Sequence, residues 1–199
     1  MKFILAKKIG MTTVFEENGK ARSVTLLEGG KNFVVGVRKA KKDGYSAVVA
    51  GFLKKNIKEA DWKKRKNFLS VKEFILSEEA QEEQFNPGQE VSVEQFQPGD
   101  RVTVCGSSKG KGYQGVMKRH NFSGSPSTHG HRHDHRAPGS IGCAFPERVF
   151  PGKKMAGRMG AEKTTVKKVP VILADKEKNL LALGGAVPGN AGSVVKIFC

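Results

Sequence analysis

The chain has 199 residues, with 35 Lys and Arg against 19 Asp and Glu, and therefore a formal net charge of +16. Such a basic excess predicts a polyanionic partner, and no run approaches the roughly 20 apolar residues of a membrane span. Three cysteines without close spacing argue against a disulfide framework and favour a reducing cytoplasm. Only a short apolar run precedes Lys7 and Lys8, so we expect neither a signal peptide nor a transit peptide, which makes an organelle the less favoured location.

Short strands separated by turns fill the chain up to residue 53. Asn18-Gly19 is typical of a tight hairpin turn, because both central residues tolerate positive φ. Gly29-Gly30 and Asp43-Gly44 mark further breaks. The strands that this pattern predicts are 3–6, 12–15, 21–27, 33–38 and 45–52.

The chain changes character at 54–66, where seven basic residues surround Trp62. We expect a short basic helix or an irregular insert there, within a region extending to residue 76, and an acidic loop at 78–83. The steps Pro87-Gly88 and Pro98-Gly99 predict turns. The further strands expected are 68–76, 90–96, 101–105, 165–173, 180–183 and 193–198, with Pro170 at an edge or bulge position.

This spacing of strands predicts a mainly β protein, a barrel or a sandwich rather than βαβ units. Apolar residues concentrate before Cys105 and after Val166. We therefore expect residues 1–105 and 161–199 to form one globular body with a common core, and residues 106–160 to leave it as an extended arm.

The predicted arm is too poor in apolar residues to form a core and shows no sustained periodicity. Residues 106–168 hold 13 Lys and Arg against three acids, an excess of ten within the net +16, and include all five histidines. A segment of this length without regular structure is usually functional or disordered. We expect a short helix at 113–121 and tight turns at 138–142 and 146–152, and we expect the arm to become ordered on a polyanion.

Two glycines alternate with two lysines over 107–112. Glycine lets backbone N–H groups approach a phosphate, and lysine adds a point charge. A nucleotide-binding P-loop is not supported, because the Gly106 to Lys111 spacing is one residue short and Gly112 replaces the required Ser or Thr.

Four histidines alternate at 129, 131, 133 and 135. One interpretation is a metal site, since alternate residues of an extended chain point to one side. The alternation is not a usual zinc spacing, and neighbouring arginines oppose a divalent cation. The second interpretation is that these rings stack on bases or hydrogen-bond to phosphates and 2′-hydroxyls. We expect no metal and no cofactor.

Catalysis has little support in the sequence. Ser107, Ser108 or Cys143 are conceivable nucleophiles with a nearby histidine as base. No glycine-framed elbow surrounds them, and candidate acids are sparse. We therefore expect a protein that is not an enzyme.

The predicted nucleic-acid contacts fall into two sets. Side chains expected to contact RNA are Lys7, Lys8, Lys109, Lys111, Lys118, Arg119, His129, His131, Arg132, His133, His135, Arg136, Arg148, Lys153, Lys154 and Arg158. Glycines expected to let the backbone approach RNA are Gly110, Gly112, Gly115, Gly139, Gly142, Gly157 and Gly160. A general basic protein that packages DNA is the alternative partner class.

Several stretches resemble the ribosomal protein L3 family, and together they span nearly the whole chain. Phe96 with the Gly- and Lys-rich run from Gly106 to Arg119 is similar to the family signature, although Thr103 stands where that signature has Asp or Asn. The other matching stretches are 6–12, 136–142, 152–160 and 180–189. Residues 142–152 contain no glutamine, whereas some bacterial members carry a methylated one there.

The resemblance implies a Greek-key-like β-barrel of the translation-protein type, with a long arm that penetrates large-subunit rRNA. It also implies that the arm approaches the peptidyl transferase centre and that the protein acts early in subunit assembly. The expected partners are large-subunit rRNA and neighbouring large-subunit proteins, around a monomer in a cytoplasmic ribosome. No membrane partner is expected.

Overall fold

The computed structural model describes residues 1–15, 19–54, 64–76 and 84–199. These residues form twelve strands and two short α-helices. The strands are β1 (Phe3–Phe15), β2 (Ala21–Glu28), β3 (Asn32–Arg38), β4 (Ala47–Leu53), β5 (Phe68–Ile75), β6 (Glu90–Val91), β7 (Arg101–Ser107), β8 (Gly112–Gln114), β9 (Gly157–Met159), β10 (Lys163–Asp175), β11 (Leu180–Gly184) and β12 (Val194–Phe198). The helices are α1 (Ala40–Asp43) and α2 (Val116–His120), and 3-10 turns cover Arg65–Asn67 and Val93–Gln95. The expectation of a mainly β protein is confirmed.

The chain divides into two compact units, residues 1–108 with 163–199 and residues 109–162. We call the first the barrel unit and the second the basic segment. The two are described separately below.

Six strands of the barrel unit close into a barrel in the order β1-β12-β7-β10-β11-β2. Every neighbouring pair is antiparallel, and Phe3 lies opposite Phe198 where β1 meets β12. The barrel interior contains Ile4, Leu27, Leu181 and Ile197, none of which is exposed to solvent. Strands from both ends of the chain therefore share one core.

The barrel unit also contains a four-stranded sheet, in the order β5-β4-β3-β6. Successive side chains of a strand point to opposite faces, and β1 is buried on both faces near its start. Ile4 lies in the barrel interior, whereas Phe3 and Leu5 pack with the sheet residues Val48 and Phe74. The Phe3 and Phe74 ring centroids are 4.6 Å apart, so β1 joins the two cores.

Asn32 is the polar link between β1 and the sheet. Its side chain is fully buried. The Oδ1 atom accepts the Leu5 N–H at 3.2 Å, and Nδ2 donates to the Leu5 carbonyl at 3.0 Å and to the Gly29 carbonyl. A buried amide with its polar atoms bonded in this way fixes the position of β1 against β3.

Two expected element boundaries are wrong. Residues 7–10 do not interrupt β1, which runs unbroken from Phe3 to Phe15 and absorbs the irregularity as a register shift between Lys8 and Gly10 against β2. The strand expected at 90–96 is only the two-residue β6, followed by a 3-10 turn. There Gln95 replaces strand pairing, because its side chain bonds to the N–H and the carbonyl of Phe3.

Other expectations are confirmed. The β1–β2 hairpin forms with Phe15 opposite Ala21, although residues 16–18 of its turn lie outside the described residues. Pro170 is flanked by register shifts on both sides, against β7 and against β11, which is the expected bulge position. Most of the predicted basic insert, 55–63, and the acidic loop at 78–83 lie outside the described residues.

None of the described helices has the length and apolarity to cross a membrane.

Candidate nucleic-acid interface

The basic segment has almost no apolar interior. Val116 is the one buried residue in this fully described stretch of the chain. The segment carries ten of the predicted contact cations but only three acids. Its local structure therefore depends on backbone hydrogen bonds and tight turns rather than on apolar burial.

Strands β8 and β9 close the base of the basic segment. Tyr113 lies opposite Arg158 in this antiparallel pair, and the Lys111 N–H donates to the Met159 carbonyl at 2.9 Å. Gly160 follows with a φ of 74°, and a Cβ there would lie 2.1 Å from the Lys109 carbonyl oxygen. Only glycine fits that close approach. The pairing brings Lys111 and Arg158 onto one short ribbon.

The short helix expected at 113–121 is present only as α2, because 112–114 pair as a strand. Arg119 on α2 donates from Nη1 to the Met155 carbonyl at 2.8 Å, and the His120 Nε2 lies 3.1 Å from the same oxygen. A Cβ at Gly157 would lie 2.5 Å from the Arg119 guanidinium. Gly157 thus makes room for Arg119, and both residues have a role inside the segment.

The loop after α2 folds back on itself. The Ser125 N–H donates to the His135 carbonyl at 3.4 Å, and a Cβ at Gly124 would lie 2.5 Å from that oxygen. The loop surrounds an open cavity of about 630 Å³, lined partly by Phe122 and His131. The turn expected at 138–142 does not form as a regular turn, although Ser140 Oγ donates to the Gly142 carbonyl at 2.9 Å.

The structure does not bring the alternating histidines together. His129 and His133 are exposed, and His131 and His135 are half-buried. His129 also has a φ of 61°, which breaks the extended alternation assumed from the sequence. Within the described ranges, no three His, Cys, Asp or Glu side chains are grouped so that they could hold a metal ion.

The remaining cations of the basic segment point into solvent. No ion pair within the described part of the chain involves them. The exposed cations are Lys109, Lys111, Lys118, Arg132, Arg136, Arg148, Lys153, Lys154 and Arg158. Charge of one sign without internal partners makes a surface suited to an anion.

The two predicted contacts near the N-terminus differ from this set. Lys7 is half-buried, and Lys8 is buried, with 8% of its surface exposed. The Lys8 Nζ donates to the Val187 carbonyl at 2.8 Å and to the Gly189 carbonyl at 3.2 Å. This lysine holds the 187–189 loop against β1, so it has a structural role in the barrel unit, and the RNA contact expected of Lys8 stays a prediction.

Sequence reasoning missed the exposed aromatic residues of the basic segment. Tyr113 is 77% exposed, Phe145 87% and Phe150 58%. Exposed rings of this kind offer flat faces on which bases can stack. The sequence did contain a signal for them. Aromatic residues that stand alone in a Gly- and Lys-rich stretch without periodicity have no core to join, which predicts exposed rings.

The predicted glycines fall into different groups. A Cβ would meet nothing within 4 Å at Gly112, Gly115, Gly139 and Gly142, and only a methyl group at 3.8 Å at Gly110. Gly110, Gly115 and Gly142 also lack a positive φ. The segment itself therefore gives no steric reason for glycine at those three positions, unlike at Gly157 and Gly160.

Comparisons with known proteins agree along the chain. The family model described as ribosomal protein L3 matches residues 70–179. A relative named large ribosomal subunit protein uL3, from Thermobifida fusca, is 43% identical over 99% of this chain and 94% of its own length. Relatives of the same name from Trichlorobacter lovleyi and Dehalococcoides mccartyi are 44% and 42% identical, each over 98% of this chain and at least 95% of their own length. By both measures, this chain belongs to the ribosomal protein L3 family.

Proposed function

We propose that this protein is a non-enzymatic structural constituent of the large ribosomal subunit and binds its rRNA. The observation that carries the proposal is the set of nine exposed cations without ion pairs in the basic segment. The names of its relatives, which are large-subunit proteins, support the same assignment.

The cations act mainly on phosphates. Each lysine or arginine that neutralises a phosphate releases condensed counterions, and this release drives binding. Phosphate contacts fix the position of the segment on RNA without reading its sequence. We therefore expect single charge changes to weaken binding with little preference for sequence.

The aromatic rings and the glycines contribute contacts of a different kind. Tyr113, Phe145 and Phe150 supply stacking faces for unpaired bases. The alternating histidines add stacking and hydrogen bonds to phosphates or 2′-hydroxyls. At Gly115 and Gly142 a Cβ would meet no atom of the protein. The absent side chain lets RNA approach the backbone closely there, and this approach accounts for glycine at both positions.

The finer proposals rest on the family resemblance. Residues 1–105 and 161–199 form the body, a Greek-key-like barrel of the translation-protein type, and residues 106–160 form the arm. The arm approaches and supports the peptidyl transferase centre, and the protein binds early in subunit assembly beside other large-subunit proteins. It is a monomer within cytoplasmic ribosomes.

The test compares two triple variants of equal charge. Lys111, Lys118 and Lys153 are changed to Gln in the first, and Lys41, Lys42 and Lys178 in the second; all six lysines are exposed. Binding to a large-subunit rRNA transcript is measured against salt concentration, with duplex DNA as competitor. In the first variant we expect the slope of log K against log salt to become shallower by roughly 0.7 to 0.9 for each lost contact. The second variant should have the slope of the unmodified protein.

Equal slopes for both variants would contradict the assignment of the basic segment as the RNA contact. Efficient competition by duplex DNA would favour the general nucleic-acid protein instead. Co-sedimentation with large subunits through high salt tests the ribosomal assignment in cell lysate, and release of the protein from the subunit there would count against it.

A further inference from the structure

A second basic site lies in the barrel unit, outside the basic segment. A cavity of about 410 Å³ opens between barrel strands and the edge strand β5 of the four-stranded sheet. Its lining includes Lys72, Lys163 and Lys196 together with Ser70 and Ser107. Three lysines and two serines around one cavity are residue types that can donate hydrogen bonds to the oxygens of a phosphate.

The fold holds these groups in place. Lys163 lies opposite Ser107 where β10 pairs with β7, and Lys196 lies opposite Cys105 where β12 pairs with β7. The Lys196 Nζ donates to the Glu73 carbonyl at 2.5 Å and lies 4.6 Å from the Phe74 ring centroid. An ammonium has three donors, so Lys196 is anchored to β5 and still has donors for a ligand.

Among the residues that the structure describes, the cavity lining has an excess of positive charge. The one carboxylate among these lining residues, Glu73, is already approached by Arg38 at 3.5 Å and accepts the Tyr45 hydroxyl at 3.1 Å. Within the described part of the chain, Lys72 and Lys163 form no ion pair. Burial lowers the pKa of Lys196, and Lys163 and Lys72 lower it further, against opposite effects from Cys105 and Glu73. An anion bound among these lysines would relieve that repulsion.

We infer that this cavity binds a backbone phosphate of RNA, as a contact separate from those of the basic segment. The inference rests on the proposed function for the identity of the anion. Ser107 and Lys163 stand in the chain immediately around the basic segment, two residues before it begins and one after it ends. An RNA held by that segment is therefore a phosphate source tied to this cavity by the chain itself.

The test replaces two exposed lysines of the cavity and leaves Lys196 in place. Lys72→Gln/Lys163→Gln is compared with Lys41→Gln/Lys178→Gln, which removes the same charge at exposed positions outside the cavity. We expect the cavity variant to bind the rRNA transcript about tenfold more weakly. The slope of log K against log salt should fall by roughly 0.7 to 0.9 for the one lost phosphate contact, while the control variant keeps the original slope.

Acetylation of Lys196, followed by mass spectrometry, identifies the anion. We expect the rRNA transcript to protect Lys196 several-fold in the unmodified protein, and inorganic phosphate alone to protect it little. Protection by inorganic phosphate but not by RNA would overturn the inference, because the cavity would then take free phosphate.

The two proposals fail in distinguishable ways. If the unmodified protein does not bind the transcript, both the proposed function and this inference are contradicted. If the unmodified protein binds and the triple variant of the basic segment loses slope, the proposed function stands. A cavity variant with the slope of its control, in that same experiment, overturns only this inference.

Discussion

The barrel unit and the basic segment obtain their order from different sources. The barrel unit buries Ile4, Leu27, Val48 and Phe74 completely, in cores on both sides of β1. The basic segment buries Val116 and little else. Apolar burial offsets chain entropy in the first, whereas the second has too little of it to do so.

The difference extends to the charges. In the barrel unit, cations are used internally: Lys8 bonds to two carbonyls, and Lys2 pairs with Asp100 at 2.6 Å. In the basic segment, which the structure describes completely, the exposed cations face solvent, and Arg119 is the one Lys or Arg whose side chain donates to a carbonyl. Lys2 and Lys8 therefore have structural roles in the barrel unit, whereas the exposed lysines of the basic segment remain available to an anion.

The largest effect is expected from the core. Leu181→Ala should lower the free energy of unfolding by about 2–5 kcal/mol, because it leaves a cavity inside the closed barrel. Urea unfolding measures this. Val116→Ala is the matched change in the basic segment, and it should leave the main transition unchanged. A comparable loss with Val116→Ala would mean that the segment shares the stability of the barrel unit.

Lys8 and Lys111 test the division between structural and binding lysines. Lys8→Met removes a buried donor from two carbonyls and should cost roughly 2–3 kcal/mol of stability. RNA affinity of the folded protein should stay the same. Lys111→Met should do the opposite: stability changes by no more than about 0.5 kcal/mol, and the salt slope falls by roughly 0.7 to 0.9. Weaker RNA binding by folded Lys8→Met protein would break the comparison.

The sequence predicts the individual strands of the barrel unit better than the strand pairing that closes the barrel. Alternating apolar residues and turn residues identify most strands, since these signals are local. The pairing of Phe3 with Phe198 is not local, and no short pattern encodes it. The continuity of β1 was missed because Lys8 looks like a surface residue, whereas its ammonium is satisfied by carbonyls 179 and 181 residues away.

In the basic segment, residue types were predictable and their environments were not. The charge and glycine content of the sequence alone predict a surface that binds a polyanion. They do not separate Arg119, bonded to Met155, from Lys118, which is exposed. Nor do they separate Gly157, crowded by Arg119, from Gly142, which faces open space. Those distinctions depend on contacts between residues more than 30 positions apart.

Gly160 and Gly142 form a pair that probes order within the basic segment. Gly160→Ala forces a left-handed residue and a clash with the Lys109 carbonyl, at a cost of about 1–2 kcal/mol or more. The hydrogen-exchange protection of the Lys111 amide, which bonds to Met159, should fall roughly 5- to 30-fold. Gly142→Ala should leave that protection unchanged. Equal protection in both variants would show that the β8–β9 pair does not depend on Gly160.

The smallest expected effect is a loss of stability when Asp100 of the barrel unit is protonated in acid. Asp100 accepts hydrogen bonds from Lys2 Nζ and from the Gln97 N–H, and these hold its pKa below the ordinary 3.8. A lowered carboxyl pKa adds stability that is complete above the ordinary value and is lost as the pH falls through the folded value.

Asp100→Asn should therefore be slightly less stable than the unmodified protein at neutral pH, and the gap should close below pH 3.8. Urea unfolding of both proteins from neutral to acid pH measures it, with added salt as a check because the pair is partly exposed. A gap that persists in acid would mean that Asp100 acts through packing rather than charge. That outcome would remove one of the internal charge contacts that distinguish the barrel unit from the basic segment.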